Sequence, residues 1–176
     1  ITQSDHIRIT ECISESNSRE SSDGLEIELC NNIIVNNSYF YLNQGNYSNG
    51  IFIVKSNNIQ IKNCNIYNNH EGEFDSMGGD GIEIYGENIE SYENLVENCT
   101  IYGHHGGIYL HNNGAHNPGN TIKNCEVRDN YIGIDVVSES FKGFNKEADY
   151  NTITGCNIYN NIKNGEMSMG YYKLDE

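Results

Sequence analysis

The chain has 176 residues and a formal net charge of −15, with 25 Asp and Glu against 10 Lys and Arg. That balance argues against a nucleic-acid partner, because nucleic-acid recognition rests on clustered basic residues and none is present. No run of about 18 apolar residues is present, so no membrane-spanning helix is predicted. The length suits one domain with a sizeable core. We expect residues 1–176 to form a single domain cut from a longer chain, since the pattern opens mid-stride at Ile7-Arg8-Ile9 and no leader precedes it. A secreted or cell-surface location is expected.

The predicted elements follow one period. The glycines that open each "G-aliphatic-x-aliphatic" phrase are Gly24, Gly50, Gly81, Gly107, Gly133 and Gly165. A second marker, Cys12, Ser38, Cys64, Cys99, Cys125 and Cys156, keeps the same base step of 26 residues with extra residues in a few places. Six coils result. Each carries three short bursts of period-two alternation, such as Ile59-Gln60-Ile61, Cys64-Asn65-Ile66 and Ile82-Glu83-Ile84, and each burst reads as a strand with one face buried. No useful 3.6-residue stripe appears. Strands this short, recurring at this interval, cannot pair as hairpins but can stack on their equivalents one coil away. The predicted fold is all-β: a parallel β-helix of about six coils with three short strands per coil.

Particular columns support this. Between the first two bursts stand Asn37, Asn63, Asn98, Asn124 and, in the last coil, Gly155. Asn and Gly are the residues that most readily adopt the left-handed conformation, so a one-residue bend is predicted there. Glu11 occupies that position in the first coil and points to a distorted turn. Asn94, Asn120 and Asn151 replace the Ile33 and Ile59 position and read as structural. Five cysteines share one phase and no CxxC pair exists. They read as a stack of buried thiols rather than disulfides or a zinc site. Cys30 falls outside that stack, at a turn position.

The phrases "SNNIQIKNCNIYNN…GIEI" and "GNTIKNCEVRDNYIGIDV" resemble the right-handed parallel β-helix superfamily with the pectin-lyase-like fold. They are nearest to its Asn/Cys-rich repeat group of polysaccharide lyases, mannuronan epimerases and surface proteins. The resemblance implies a right-handed helix over nearly the whole chain, and a polysaccharide as partner. It says little about chemistry, because the fold hosts hydrolases, lyases, epimerases and adhesins.

Function is sought where the repeat is interrupted. Extra residues fall at 70–80, 85–94, 111–119 and 138–150. They flank the Gly81, Gly107 and Gly133 strands, whose outward face becomes the floor of a groove. Alternation assigns Glu83, Tyr109 and Asp135 to one outward column and Tyr85, His111 and Val137 to the next. His104 and His105 stand at the entrance of the Gly107 strand, beside Asp80 one coil earlier. Candidate catalytic residues are therefore Asp80, Glu83, His105, Tyr109, His111 and Asp135. Candidate substrate-binding residues are Tyr85, His104, His116 and Lys142.

Three chemistries suit this set. In glycoside hydrolysis, one carboxyl donates a proton and another activates water. Glu83 and Asp135, two coils apart, would be separated by about 9.6 Å at ~4.8 Å per coil, the upper edge of an inverting pair. "GGDGIEI" followed by "GHHGG" is similar to polygalacturonases, although their paired Asp-Asp is missing. In uronate β-elimination or epimerisation, Tyr109, His111, Tyr85 and His105 would move protons. A cation would stabilise the enolate, either Lys142 or a Ca²⁺ ion held by Glu71, Glu73, Asp75 and Asp80. A non-catalytic surface or adhesin module is the third. Uncapped end coils would suit flanking domains or an oligomer.

Overall fold

The structure is a computed structural model that describes residues 1–17, 22–45, 47–69, 79–87, 91–113, 118–139, 151–162 and 169–170. The first coil runs β1 (Arg8–Thr10), β2 (Ile13–Glu15) and β3 (Leu25–Glu28). The second has β4 (Ile34–Asn36), β5 (Tyr39–Tyr41) and β6 (Ile51–Val54), and the third β7 (Gln60–Lys62), β8 (Asn65–Tyr67) and β9 (Ile82–Glu87). The fourth has β10 (Leu95–Glu97), β11 (Thr100–Tyr102) and β12 (Gly106–Asn113). The fifth has β13 (Thr121–Lys123), β14 (Glu126–Arg128) and β15 (Ile132–Glu139), and the sixth β16 (Thr152–Thr154), β17 (Asn157–Tyr159) and β18 (Met169–Gly170). Among the described residues there is no helix, and none therefore long and apolar enough to cross a membrane.

First strands pair only with first strands, second with second and third with third, giving three six-stranded sheets. Every pairing is parallel. The architecture is the right-handed parallel β-helix of six coils with three strands each. The core is a stack of like residues. Val35, Ile61, Val96 and Ile122 come from the first sheet, Ile66, Ile101 and Val127 from the second, and Ile53, Ile84, Leu110 and Val136 from the third. Each fully buried aliphatic side chain contributes roughly 1.5–3 kcal/mol.

The corners explain the polar repeats. Asn37, Asn63, Asn98, Asn124 and Gly155 all have φ between 50° and 65°, as the Asn-to-Gly exchange predicts. Glu11 takes the same conformation at φ 56°, so the first turn is regular rather than distorted. Further left-handed corners were hidden in the sequence because their occupants are unusual there. Leu29, Leu42 and Lys55 all have positive φ. Stacking determines their backbone at a cost of roughly 1–3 kcal/mol each.

Inside the corners run side-chain ladders that cap the backbone of the adjoining coil. Ile59 N–H donates to Asn94 Oδ1 at 2.9 Å, Asn94 N–H to Asn120 Oδ1 at 3.0 Å, and Asn120 N–H to Asn151 Oδ1 at 2.9 Å. The cysteines are free thiols. Cys64, Cys99 and Cys125 are buried, while Cys12 is exposed and Cys156 half-buried at the ends. Cys30 is also fully buried. It shares a column with Ser56 and Ser91, in which each hydroxyl accepts the N–H of the preceding coil. A small polarisable side chain fits there as well as serine does.

Gly24, Gly50, Gly81, Gly107 and Gly133 open their third-sheet phrases for a steric reason, while Gly165 lies outside the described residues. A Cβ on Gly107 would lie 2.4 Å from the Gly133 carbonyl oxygen and 2.5 Å from Val127. The coils approach too closely for any side chain, which brings the third sheet tight against its neighbours and fixes the register of its outer face.

Candidate functional site

The third sheet carries the longest strands, and its registers determine what projects from it. Tyr109 pairs with Glu83 on one side and Asp135 on the other, and His111 with Tyr85 and Val137. These are the two outward columns expected from alternation. Glu83, Tyr109, Asp135 and His111 from these columns form the floor of a groove of ≈ 440 Å³. Asp80, Glu83, His105, Tyr109, His111 and Asp135 all line it, so the six residues assigned to chemistry come together. Tyr47, Asn49 and Ile132 also contribute to its lining.

The substrate-binding candidates separate differently. Tyr85 lies beside the groove lining, packed edge-on against His111 with centroids 4.9 Å apart. His104 does not reach the groove. It is fully buried within a corner ladder of asparagines, Asn43, Asn69, Asn130 and Asn161. Its Nε2 meets Asn69 Nδ2 at 3.1 Å, and its backbone N–H donates to Asn130 Oδ1 at 3.1 Å. Here histidine does an asparagine's work. Alternation of side chains across the corner then sends the next residue, His105, outward into the groove. His116, Lys142, Glu71, Glu73 and Asp75 lie outside the described residues, as do most of the proposed wall segments. Among the described residues, no group of three or more His, Cys, Asp or Glu side chains is arranged to hold a metal ion.

Electrostatics divide the carboxyls. Asp80 is buried, and its Oδ1 accepts the Gly106 N–H at 2.8 Å. Loss of solvation pushes its carboxyl up to about 6 from an ordinary value of 3.8. The nearby Glu83 charge pushes the same way, while the His105 ring and the Gly106 N–H oppose it. His105 Nδ1 lies 3.9 Å from Asp80 Oδ1, and His111 Nδ1 lies 3.8 Å from Glu83 Oε1. These separations exceed hydrogen-bond length, and each ring attracts its carboxyl only when protonated. Glu83 Oε2 accepts a hydrogen bond from Asn49 Nδ2 at 3.0 Å. One coil beyond, Asp23 is likewise pushed up to about 6, mainly by burial, with Glu26 and Glu83 adding repulsion.

Rings surround these groups. Tyr109 and His111 stack with centroids 5.1 Å apart, and His105 stacks on Tyr131 at 5.2 Å. The arrangement offers a carboxyl raised by burial, two further carboxyl groups and ring faces in one open channel. Such a channel can bind a polyol chain and transfer protons to or from it.

Asn49 and Ile132 carry a signal that the sequence reading passed over. They precede Gly50 and Gly133, the same position that Asp80 holds before Gly81. Tyr47 carries no repeat signal. It enters the groove from a corner of the second coil, at φ 66°.

A family model described as "Right handed beta helix region" matches residues 1–169. A search of curated proteins gives no match.

Proposed function

We propose that this chain, which belongs to the right handed beta helix family, is a carbohydrate-active protein that hydrolyses a glycan by general acid–base catalysis in the third-sheet groove. The observation that carries the reading is the coexistence, in one groove, of the buried Asp80 carboxyl and the Glu83 and Asp135 carboxyls. Asp80, protonated well into the mildly acidic range, is suited to donate a proton to the leaving glycosidic oxygen. Asp135, two rungs along from Glu83, is suited to activate the attacking water on the opposite face of the sugar. A proton donor on one face and an activated water on the other invert the anomeric carbon, and the two rungs between Glu83 and Asp135, about 9.6 Å at ~4.8 Å each, leave room for that water. Tyr109 and His111 present ring faces to the sugar between them.

Charge selects the substrate class. The described lining holds three carboxyl groups and neither Lys nor Arg. A negative channel repels a polyuronate and suits an uncharged glycan. The reading favoured here is therefore a neutral glycan, in place of the uronate polymer that elimination or epimerisation would take. Elimination or epimerisation of uronates is the second reading, favoured by the stacked Tyr109–His111 pair, and it requires a cation to stabilise the enolate. A secreted or cell-surface setting goes with either polymer.

The test is a panel of neutral glycans and uronate polymers. Reducing ends released from a neutral glycan with inverted configuration are expected. Asp80→Asn and Asp135→Asn should each lower the rate about 10²–10⁴-fold, and Glu83→Gln should lower it as well, because it removes a charge that helps keep Asp80 protonated. Unsaturated products from uronates would transfer the site to elimination. Neither product, with glycan retention in affinity electrophoresis, would make this a binding module; no retention either would overturn the carbohydrate reading.

A further inference from the structure

We infer that Asn49 is a positioning residue whose carboxamide aims Glu83 into the groove. The inference rests on the reading of the groove as an acid–base site. Asn49 belongs to a column of residues that precede the third-sheet glycines: Asp23, Asn49, Asp80 and Gly106. Each side-chain oxygen in it accepts the backbone N–H of the next rung. Asn49 N–H donates to Asp23 Oδ1 at 2.6 Å, Asp80 N–H to Asn49 Oδ1 at 2.8 Å, and Gly106 N–H to Asp80 Oδ1 at 2.8 Å.

That capping task requires only an acceptor oxygen, and aspartate performs it at positions 23 and 80. Asparagine at 49 performs it with Oδ1 and has a donor to spare. The Asp80 N–H can be met only by the amide oxygen, which fixes the orientation of the carboxamide and turns Nδ2 toward Glu83. Nδ2 donates to Glu83 Oε2 at 3.0 Å. This bond is the one service an aspartate could not supply at that rung. It is made by a residue that is 5% exposed, so solvent competes little for it. Glu83 is then held from two sides, by Asn49 at Oε2 and by the His111 ring 3.8 Å from Oε1. A carboxylate at position 49 would instead face Asp23, Asp80 and Glu83, with His105 and His111 the basic side chains among the described residues of the groove.

The discriminating variant is Asn49→Asp, which keeps the cap and reverses the polarity toward Glu83. In the full chain we expect circular dichroism unchanged, neutral-glycan affinity within about threefold, and turnover lowered on the order of 100-fold. The acid limb of the rate profile should move to higher pH, because an added negative charge favours protonated neighbours. Turnover and profile unchanged in a folded Asn49→Asp protein would overturn the inference. A second measurement does not depend on activity or on that variant. In ¹⁵N spectra, the Asn49 carboxamide protons should shift upfield and exchange at least about tenfold faster in Glu83→Ala. An unmoved carboxamide would overturn the assignment. If the wild-type chain turns over no glycan, the proposed function fails, while the carboxamide signal still decides the role of Asn49.

Discussion

Replacing Asp80 by asparagine should stabilise the fold at neutral pH and leave it nearly unchanged in acid. The side chain is buried and nearly isosteric with its replacement, and an amide oxygen can still accept the Gly106 N–H. What changes is the cost of ionisation. A carboxyl that titrates at about 6 when folded and at 3.8 when unfolded favours the protonated fold. Its contribution is fully present below the unfolded value and is lost as pH rises through about 6. Over that interval the loss amounts to about 3 kcal/mol, at ~1.4 kcal/mol per pH unit. For a chain of this size it corresponds to roughly 6–12 °C in thermal midpoint. Urea unfolding of wild type and Asp80→Asn, compared from about pH 4 to about pH 7.5, isolates the effect of this group from the other carboxyls. The difference should open between about pH 4 and pH 6 and then level off. A difference independent of pH, or one that widens toward acid, would refute the argument that desolvation governs Asp80. The same substitution should abolish the proposed proton donation, so a more stable protein would be a less active one.

Two further outcomes test the scaffold. Asn120→Ala leaves the Asn94 N–H without its acceptor and the Ser91 carbonyl without the Asn120 Nδ2 donor, both buried. A loss of about 2–4 kcal/mol in urea unfolding is expected, and a loss below about 0.5 kcal/mol would show that the ladder is dispensable. Because all six cysteines are free, adding reductant should leave the thermal midpoint unchanged, and denatured protein should titrate six thiols without it. Fewer than six would indicate cross-links.

The registers of the outer columns were legible because a parallel stack pairs each residue with its own equivalent. Glu83, Tyr109 and Asp135 share a column for the same reason that Ile84, Leu110 and Val136 do. The Asn-to-Gly bend was legible because few residues tolerate that backbone. The corners at Leu29, Leu42 and Lys55 were not, since stacking rather than residue type holds them. His104 and His105 show the limit most clearly. They are adjacent and alike in sequence, yet one completes a buried asparagine ladder and the other lines the groove. The ladder phase links Asn69 to His104 across 35 residues rather than 26, which hides the match.

By itself, then, the sequence determined the coil, its period, the inward aliphatics and the outward column of Glu83, Tyr109 and Asp135. These follow from repetition, which any stacked parallel strand must obey at ~4.8 Å per rung. The tertiary structure decided the rest. The depth that desolvates Asp80, the approach of Asn49 Nδ2 to Glu83 and the inward turn of His104 depend on distances between coils. Burial and hydrogen-bond direction are properties of the assembled stack, and a single strand does not carry them.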